Sequence, residues 1–487
     1  MNSYIDPSDP DLPRFYAFYW RNPKAIDPRS GQASSYSLSK VQSVERDAQE
    51  NDLHGRLDAK LSLGEDSAWQ IRAGGKWGWN HKEQNVSGGS MSPATGTTAL
   101  SLSQVLSSDS GVGFYDGNYT IGPLPDVNAV KAWLAANGAK QDTTASSDDH
   151  IQNDPLSYSV VEHHWAGYAQ GKWRSGNLSA VGGLRLERFD VASTGNDVQS
   201  QADESWKATV PVTVDRAFDF LLPMVSGRWS PDPAWVARAA YTRSFALPDV
   251  MDMLPTAQID LLDLTDKIGN PDLKATLADA MELDLEWYRK PRGMVSVGVF
   301  GKRIEDYIFP VVWVEWDNIR KALFTKFSKK NGGAAYLTGA ELEVQQPLDF
   351  LPWLFSGFGI EGNYTWTHST TTLPGRTEES TLPGQSEHSG NLGLRYDLKG
   401  FSADLAWNFQ SPFLYEIHAS TLDDIWVDWH KRLDASISQR LGRGLLLYFQ
   451  AANLTNAPYR LSMGDTHHPT QIEYSGRTYE GGIRLSL

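Results

Sequence analysis

Thr478-Tyr-Glu-Gly-Gly-Ile-Arg-Leu-Ser-Leu487 is the stretch that decides the fold. Side chains of an extended chain alternate between two faces. Tyr479, Gly481, Ile483, Leu485 and Leu487 therefore share one side, and Thr478, Glu480, Gly482, Arg484 and Ser486 the other. One face is oily, the other polar and charged. A strand of a β-sandwich can show the same alternation, but about ten residues is also the length a tilted strand needs to cross a bilayer. If lipid is the solvent of the oily face, the strand has to sit in a closed barrel, because hydrocarbon satisfies no free backbone edge.

The alternation recurs along the chain. Leu57, Ala59, Leu61 and Leu63 oppose Arg56, Asp58, Lys60 and Ser62. After the turn Gly64-Glu65-Asp66-Ser67, Trp69, Ile71, Ala73, Gly75, Trp77 and Trp79 continue the oily side. The same reading holds for Leu178 to Leu186, for Leu283, Leu285 and Trp287, and for Val295, Val297 and Val299. It holds again for Leu342 and Val344, for Phe358 to Trp366, for Leu392 to Leu398 and for Phe401 to Phe409. Counting such segments gives about sixteen strands, in the range where a barrel leaves an aqueous channel.

Connections differ in kind. Tight turns are expected around Gly64, Gly176, Pro233, Pro291, Pro347, Gly400 and Gly442, each followed one strand later by a long polar loop. A transmembrane barrel with short periplasmic turns and long extracellular loops has this asymmetry. Trp77, Trp79, Trp229, Trp235, Trp287, Tyr288, Trp366 and Trp407 stand near strand ends, where aromatic girdles belong. Between about Gln84 and Asp154 the alternation stops, and Asp126 to Asn137, with Pro125 before it and Gly138 after it, reads as one short helix capping the loop. Residues 1–50 read as a partial strand and loop region containing the aromatic cluster Phe15-Tyr-Ala-Phe-Tyr-Trp20, and residues 51–487 as the barrel domain.

Composition agrees. A mean hydropathy of −0.42, with no apolar run near the ~20 residues of a membrane helix, excludes a helical membrane protein but not a barrel, whose lipid-facing residues are diluted by luminal ones. A net charge of −15 argues against a nucleic-acid partner, which calls for a basic face. The first residues, Met1-Asn-Ser-Tyr-Ile-Asp, show neither a basic region nor an apolar one, so a signal peptide is expected to have been removed or to lie upstream.

Several stretches resemble the barrel of TonB-dependent outer-membrane receptors. They are Leu221 to Asp249, Asn270-Pro-Asp-Leu-Lys-Ala-Thr276, Glu282 to Tyr288, Val299 to Ile308, Gly339-Ala-Glu-Leu-Glu343 and Asn453-Leu-Thr-Asn-Ala-Pro-Tyr459. The subgroup most similar is one from proteobacteria such as Caulobacter and Xanthomonas associated with plant-carbohydrate uptake. The resemblance implies an all-β, transmembrane antiparallel barrel in the outer membrane of a Gram-negative bacterium. It also implies energised uptake of a scarce solute, carbohydrate ahead of siderophore, and no enzymatic activity. The family barrel has twenty-two strands behind a plug domain and a coupling box, and neither of these is matched here. The chain is therefore expected to be the carboxy-terminal part of a longer product, a monomer in its lipid, that meets the TonB-ExbB-ExbD system only through a plug elsewhere. A plug-less passive porin and a barrel-anchored adhesin are the alternatives.

No cofactor is expected, and no catalytic group. The pairs His163-His164 and His467-His468 point to opposite faces of a strand and so make poor metal sites. Glu282, Asp284, Glu286, Glu341 and Glu343 read as polar lining of a wet lumen. Aromatic rings stack on the apolar faces of sugars, which makes Trp313, Trp316, Tyr415 and Trp426, beside Glu315, Asp317 and Glu416, the expected ligand contacts.

Overall fold

The computed structural model describes residues 32–39, 41–64, 68–91, 98–108, 122–137, 147–201, 205–260, 263–289, 292–418, 420–442 and 444–485. It adds the backbone of the short strands Asn2–Asp6, Arg14–Tyr19, Asn22–Ile26, Gly113–Phe114 and Tyr119–Thr120. Ser486, Leu487, Glu65 to Ser67, Gly138, Pro291 and the side chains of Phe15 to Trp20 lie outside these residues.

Fifteen strands form one antiparallel sheet in which sequence neighbours are spatial neighbours throughout. They are β1 (Val41–Leu63), β2 (Trp69–Met91), β3 (Tyr158–Ser175), β4 (Leu178–Ser200), β5 (Trp206–Trp229), β6 (Trp235–Ala246), β7 (Thr276–Tyr288) and β8 (Met294–Glu305). They continue as β9 (Ala335–Pro347), β10 (Phe358–Thr372), β11 (His388–Leu398), β12 (Phe401–Gln410), β13 (His430–Leu441), β14 (Leu445–Ala452) and β15 (Thr478–Leu485). The two-residue strand Glu379–Ser380 pairs with the end of β10 as a sixteenth member, in line with the expected count. Among the described residues β1 pairs with β2 and β15 with β14, so these two strands end the sheet.

Pairing register carries the oily face unbroken from strand to strand. Trp235, Trp287, Val295, Val344, Gly362, Leu392, Trp407 and Leu433 are successive partners across β6 to β13. A slip of one residue at any pair would turn a whole strand inside out. These side chains meet no second protein layer: Leu57 is 80% exposed, Leu392 52% and Ile483 72%. An apolar surface of this extent does not survive in water, so lipid is its solvent. Aromatic rings border the band on both sides. Trp69–Trp173, Trp235–Trp287 and Phe358–Tyr396 pack in pairs at the turn end, with centroids 6.2, 6.4 and 4.7 Å apart. Trp77 and Trp165, direct partners, mark the other rim. They stand eight residues from Trp69 and Trp173, about 26 Å along a strand at 3.3 Å per residue, which at the 35–45° tilt of barrel strands is about 20 Å of height, most of the ~25 Å apolar band of an outer-membrane barrel.

Turn chemistry explains the tight end. Lys399 (φ 50°) and Gly400 (φ 81°) both take left-handed backbone between the paired Leu398 and Phe401, the two-residue hairpin that twists with its strands. The Pro347 connection is looser than expected: a short 3-10 turn, Trp353–Gly357, holds Trp353 80% and Phe355 58% exposed beside the girdle.

Two other expectations change. Alternation was expected to end near Gln84, but β2 runs to Met91, because strands that leave the bilayer need no oily face to stay paired. A long loop was expected after the Leu178 to Leu186 strand, but β4 and β5 instead form a hairpin of 23 and 24 residues whose ends are bonded from the Gln201 amide to the Ser205 carbonyl at 2.7 Å. Alternating Val210, Val212 and Val214 favour an extended chain there. The expected helix is α1 (Val127–Ala136), capped by the Asp126 carboxylate on the Asn128 and Ala129 amides, with Leu134 2% exposed beneath it.

Candidate functional site

Long connections at the rim opposite the tight turns build two small sheets. One has strand order Ala257–Asp260, Thr265–Ile268, Ala322–Asn331, Ile308–Asp317, and the other Phe413–Glu416, Ile425–Val427, Pro458–Met463, Pro469–Tyr474. The expected ligand residues divide between them: Trp313, Glu315, Trp316 and Asp317 lie on the first, Tyr415, Glu416 and Trp426 on the second.

Within the first sheet, alternation separates the four. Trp313, Glu315 and Asp317 face one way, and Trp316, 49% exposed with Val314 beside it, faces the other. The Trp313 indole N–H donates to Glu315 Oε2 at 3.2 Å, and Lys326, opposite Trp313 in register, stands 3.2 Å from the same oxygen. These two contacts hold the Glu315 carboxyl below its usual range, the indole contributing most. Lys326 also reaches Asp266, 3.7 Å away, whose burial pushes its carboxyl upward against that cation. Partial burial also works against Asp317, but the amides of Arg320 and Ile319 and the Arg320 guanidinium keep its carboxyl low. Arg320 then ties the sheet to the β4–β5 hairpin through Ser200 Oγ at 3.0 Å.

In the second sheet Tyr415 is 47% exposed and Glu416 lies beside it, 3.7 Å from His418. Trp426 is not an open platform. It is paired with Leu414, which is fully buried, and packs on the cluster below.

That cluster joins the loops. Phe309, Leu373, Leu382, Leu414 and Ile417, from three successive connections, and Ala335, at the start of β9, are all buried. Above it Arg376 donates to both Asp424 oxygens, at 2.8 and 2.5 Å, and to the His418 carbonyl. Asp424 accepts the His418 amide at 2.9 Å, and its own carbonyl receives the Gly464 amide at 2.7 Å. Sequence reasoning missed these residues. The available signal was the repeated Thr-Leu-Pro-Gly at Thr372 to Gly375 and Thr381 to Gly384, where each Leu enters the cluster and each Gly takes positive φ.

A second apolar cluster lies inside the neighbouring part of the sheet. Phe189, Val191, Phe218 and Phe220, on the luminal faces of β4 and β5, hold Met253 of α2 (Val250–Met253) together with Leu254 and Leu273. The connection from β6 to β7 is thereby folded onto the wall. His164 and His163 do point apart: His164 bonds Glu187 at 2.7 Å and stacks on Phe189, and His163 stacks on Trp165. Glu286 accepts from Arg238 at 2.7 Å on the luminal side. Among the described residues no group of three or more His, Asp or Glu side chains is placed to hold a metal ion.

A meandering antiparallel sheet with one face in lipid, one polar face and loops gathered at one rim defines an outer-membrane β-barrel. The chain belongs to the TonB-dependent receptor-like β-barrel family, whose model matches residues 2–454. The family consists of outer-membrane transport receptors of Gram-negative bacteria, not enzymes. Among solved structures, the copper transporter OprC aligns with a TM-score of 0.58 at 14% identity, over 91% of this chain and 58% of that one. The ferric yersiniabactin uptake receptor FyuA of Yersinia pestis aligns at 0.55 and 13%, over 92% and 56%. The unliganded ferric citrate transporter FecA gives 0.55 and 13%, over 92% and 56%. The chain thus spans little more than half the length of these structures, and the likeness is one of fold. A comparison with curated proteins returns no match.

Proposed function

We propose that this barrel is the passage of an energy-coupled uptake receptor, acting as a monomer, whose loops select a scarce solute, an oligosaccharide ahead of a ferric siderophore. The observation that carries the reading is the shared buried cluster under three loops, clasped by Arg376 and Asp424. It fixes the rim surface before any ligand arrives, so little ordering entropy remains to oppose binding. That surface presents the exposed rings of Trp316 on the first sheet and of Tyr415, with Glu416 beside it, on the second, and such rings suit stacking on sugars. The matched residues are barrel residues, so coupling to TonB-ExbB-ExbD would run through plug and coupling segments other than these. OprC, FyuA and FecA are named for copper, ferric yersiniabactin and ferric citrate, which makes metal complexes the competing ligands.

The test is binding of plant-derived oligosaccharides and of ferric siderophores to the purified protein, alongside uptake by cells with and without TonB. Saturable oligosaccharide binding and TonB-dependent uptake are expected. Binding of a siderophore alone would replace the ligand, and uptake indifferent to TonB would overturn the coupling.

A further inference from the structure

Trp316 stands at one end of a sheet face whose other end is a cavity of about 360 Å³. Alternation puts Val312, Val314 and Trp316 on that face, with their partners Phe327, Thr325 and Leu323. Parallel pairing sets Lys267 beside Phe327, and Gln258 lies opposite Lys267 in turn. Near Trp316 the face is apolar, with Val314 62% and Leu323 58% exposed. Gln258, Lys267, Phe327 and Lys329 line the cavity at the far end, and Met251 and Asp252 of α2 close one side of it. Phe327 follows Leu323 by four residues, so about 13 Å at 3.3 Å per residue separates the Trp316 position from the cavity.

Charge in the cavity is matched except at one point. The Lys329 ammonium meets Asp252 Oδ2 at 2.8 Å. Lys267 is exposed and joins no ion pair among the described residues. Asp252, Lys267 and Lys329 are the charged residues of the lining, so the cavity carries one net positive charge. The adjacent Asp266 belongs to the opposite face, where Lys326 stands 3.7 Å from it, and Asp260, on the same face as Lys267, accepts the Asp263 amide at 3.1 Å. An ammonium at a cavity wall without a counter-ion is a seat for an anion, and the Gln258 amide opposite it in register can donate to the same group.

We propose that this cavity seats the carboxylate of an acidic sugar residue while Trp316 stacks on another ring of the same chain, so that the solute is a uronate-bearing oligosaccharide. The inference rests on the oligosaccharide reading above and adds to it the charge of the substrate. One free ammonium balances one carboxylate, whereas a phosphate brings a charge of about −1.5 to −2. Between the two points Val314 and Thr325 carry no charge, so discrimination between acidic and neutral chains falls on Lys267.

Isothermal titration of the full chain tests this with trigalacturonate and with a xylotriose bearing glucuronic acid, each compared with its methyl ester, which keeps the rings and removes the charge. At least one acid is expected to bind about fivefold or more tighter than its ester, and to lose that advantage at high salt. Lys267→Gln is expected to bring the acid down to the affinity of the ester while leaving the ester unchanged, which also reports that the loops are intact. Lys330→Gln, an exposed lysine on the opposite face, is expected to change neither. Trp316→Ala is expected to weaken acid and ester alike. Equal binding of acid and ester by the wild type, or an acid preference that survives Lys267→Gln, would overturn the proposal. In either case ester binding that Trp316→Ala weakens would leave the oligosaccharide reading standing, whereas no binding of any of the four sugars would overturn both.

Discussion

Arg376 and Asp424 form a two-pronged ion pair between loops 48 positions apart, and each side chain is only 5% exposed. Outside the bilayer, where water is plentiful, such burial needs a scaffold around it. The scaffold is the cluster of Phe309, Leu373, Leu382 and Leu414. Removing one partner leaves a charge with no water and no counter-ion. Arg376→Met or Asp424→Leu alone is expected to destabilise the loop assembly by about 3–5 kcal/mol, and both together by less than either. A double-mutant cycle on the rate of loop proteolysis, with barrel integrity followed by gel mobility, measures this.

Phe309 is fully buried and its ring lies where any side chain at position 332 would have to go. Phe309→Ala should cost about 3–5 kcal/mol of local stability. Gly332→Ala should act similarly by displacing the ring. Both changes should expose the loops to protease while the membrane part keeps its heat-modifiable form.

Acidity should tighten the first loop sheet. Burial raises the Asp266 carboxyl, so the folded state holds its proton more strongly than the unfolded chain does. That contribution is complete below the ordinary aspartate value, about 3.9, and is lost as pH rises toward the raised value. Hydrogen exchange at Thr265 to Ile268 and Ala322 to Asn331 should therefore slow, after correction for intrinsic rates, as pH falls from the raised value toward the ordinary carboxylate range, below which the depressed Glu315 and Asp317 carboxyls lose their own contribution. Asp266→Asn should remove the effect, and an unchanged pH profile in that variant would assign it elsewhere.

Exposed and buried aromatics should respond differently. Trp316→Ala and Tyr415→Ala should weaken oligosaccharide binding by about 1–2 kcal/mol each without altering loop proteolysis. Trp426→Ala should instead loosen the loops, because its ring packs on the buried cluster. Isothermal titration paired with limited proteolysis separates the two outcomes.

The two faces of one strand give the sharpest contrast. Leu342→Arg, between Val297 and Tyr364 on the lipid side, should cost about 2–4 kcal/mol in a bilayer. Glu343→Arg, one position on and facing the lumen, should change urea stability in liposomes by less than about 1 kcal/mol.

The membrane part was legible because one rule governs it. Period two, with oil on one side, can be read from Leu283 or from Ile483 alike, and only the solvent had to be inferred. Loop architecture was not legible, because its determinants are far apart in sequence. Nothing near Arg376 announces Asp424, and nothing at Trp426 says that Leu414 will cover it. Trp316 was grouped with Trp313 by proximity, although strand alternation already set their faces apart. The β4–β5 hairpin was missed because its upper half, free of lipid, no longer obeys the rule that identified the rest.

The unbroken register also limits how such a chain can change in length. One residue inserted between Leu283 and Asp284 would invert everything beyond it on β7, sending Leu285 to the channel and Glu286 to the acyl chains, whereas two residues would preserve both surfaces. Lineages descended from this protein should therefore gain or lose strand residues in even numbers and reserve odd ones for turns and loops.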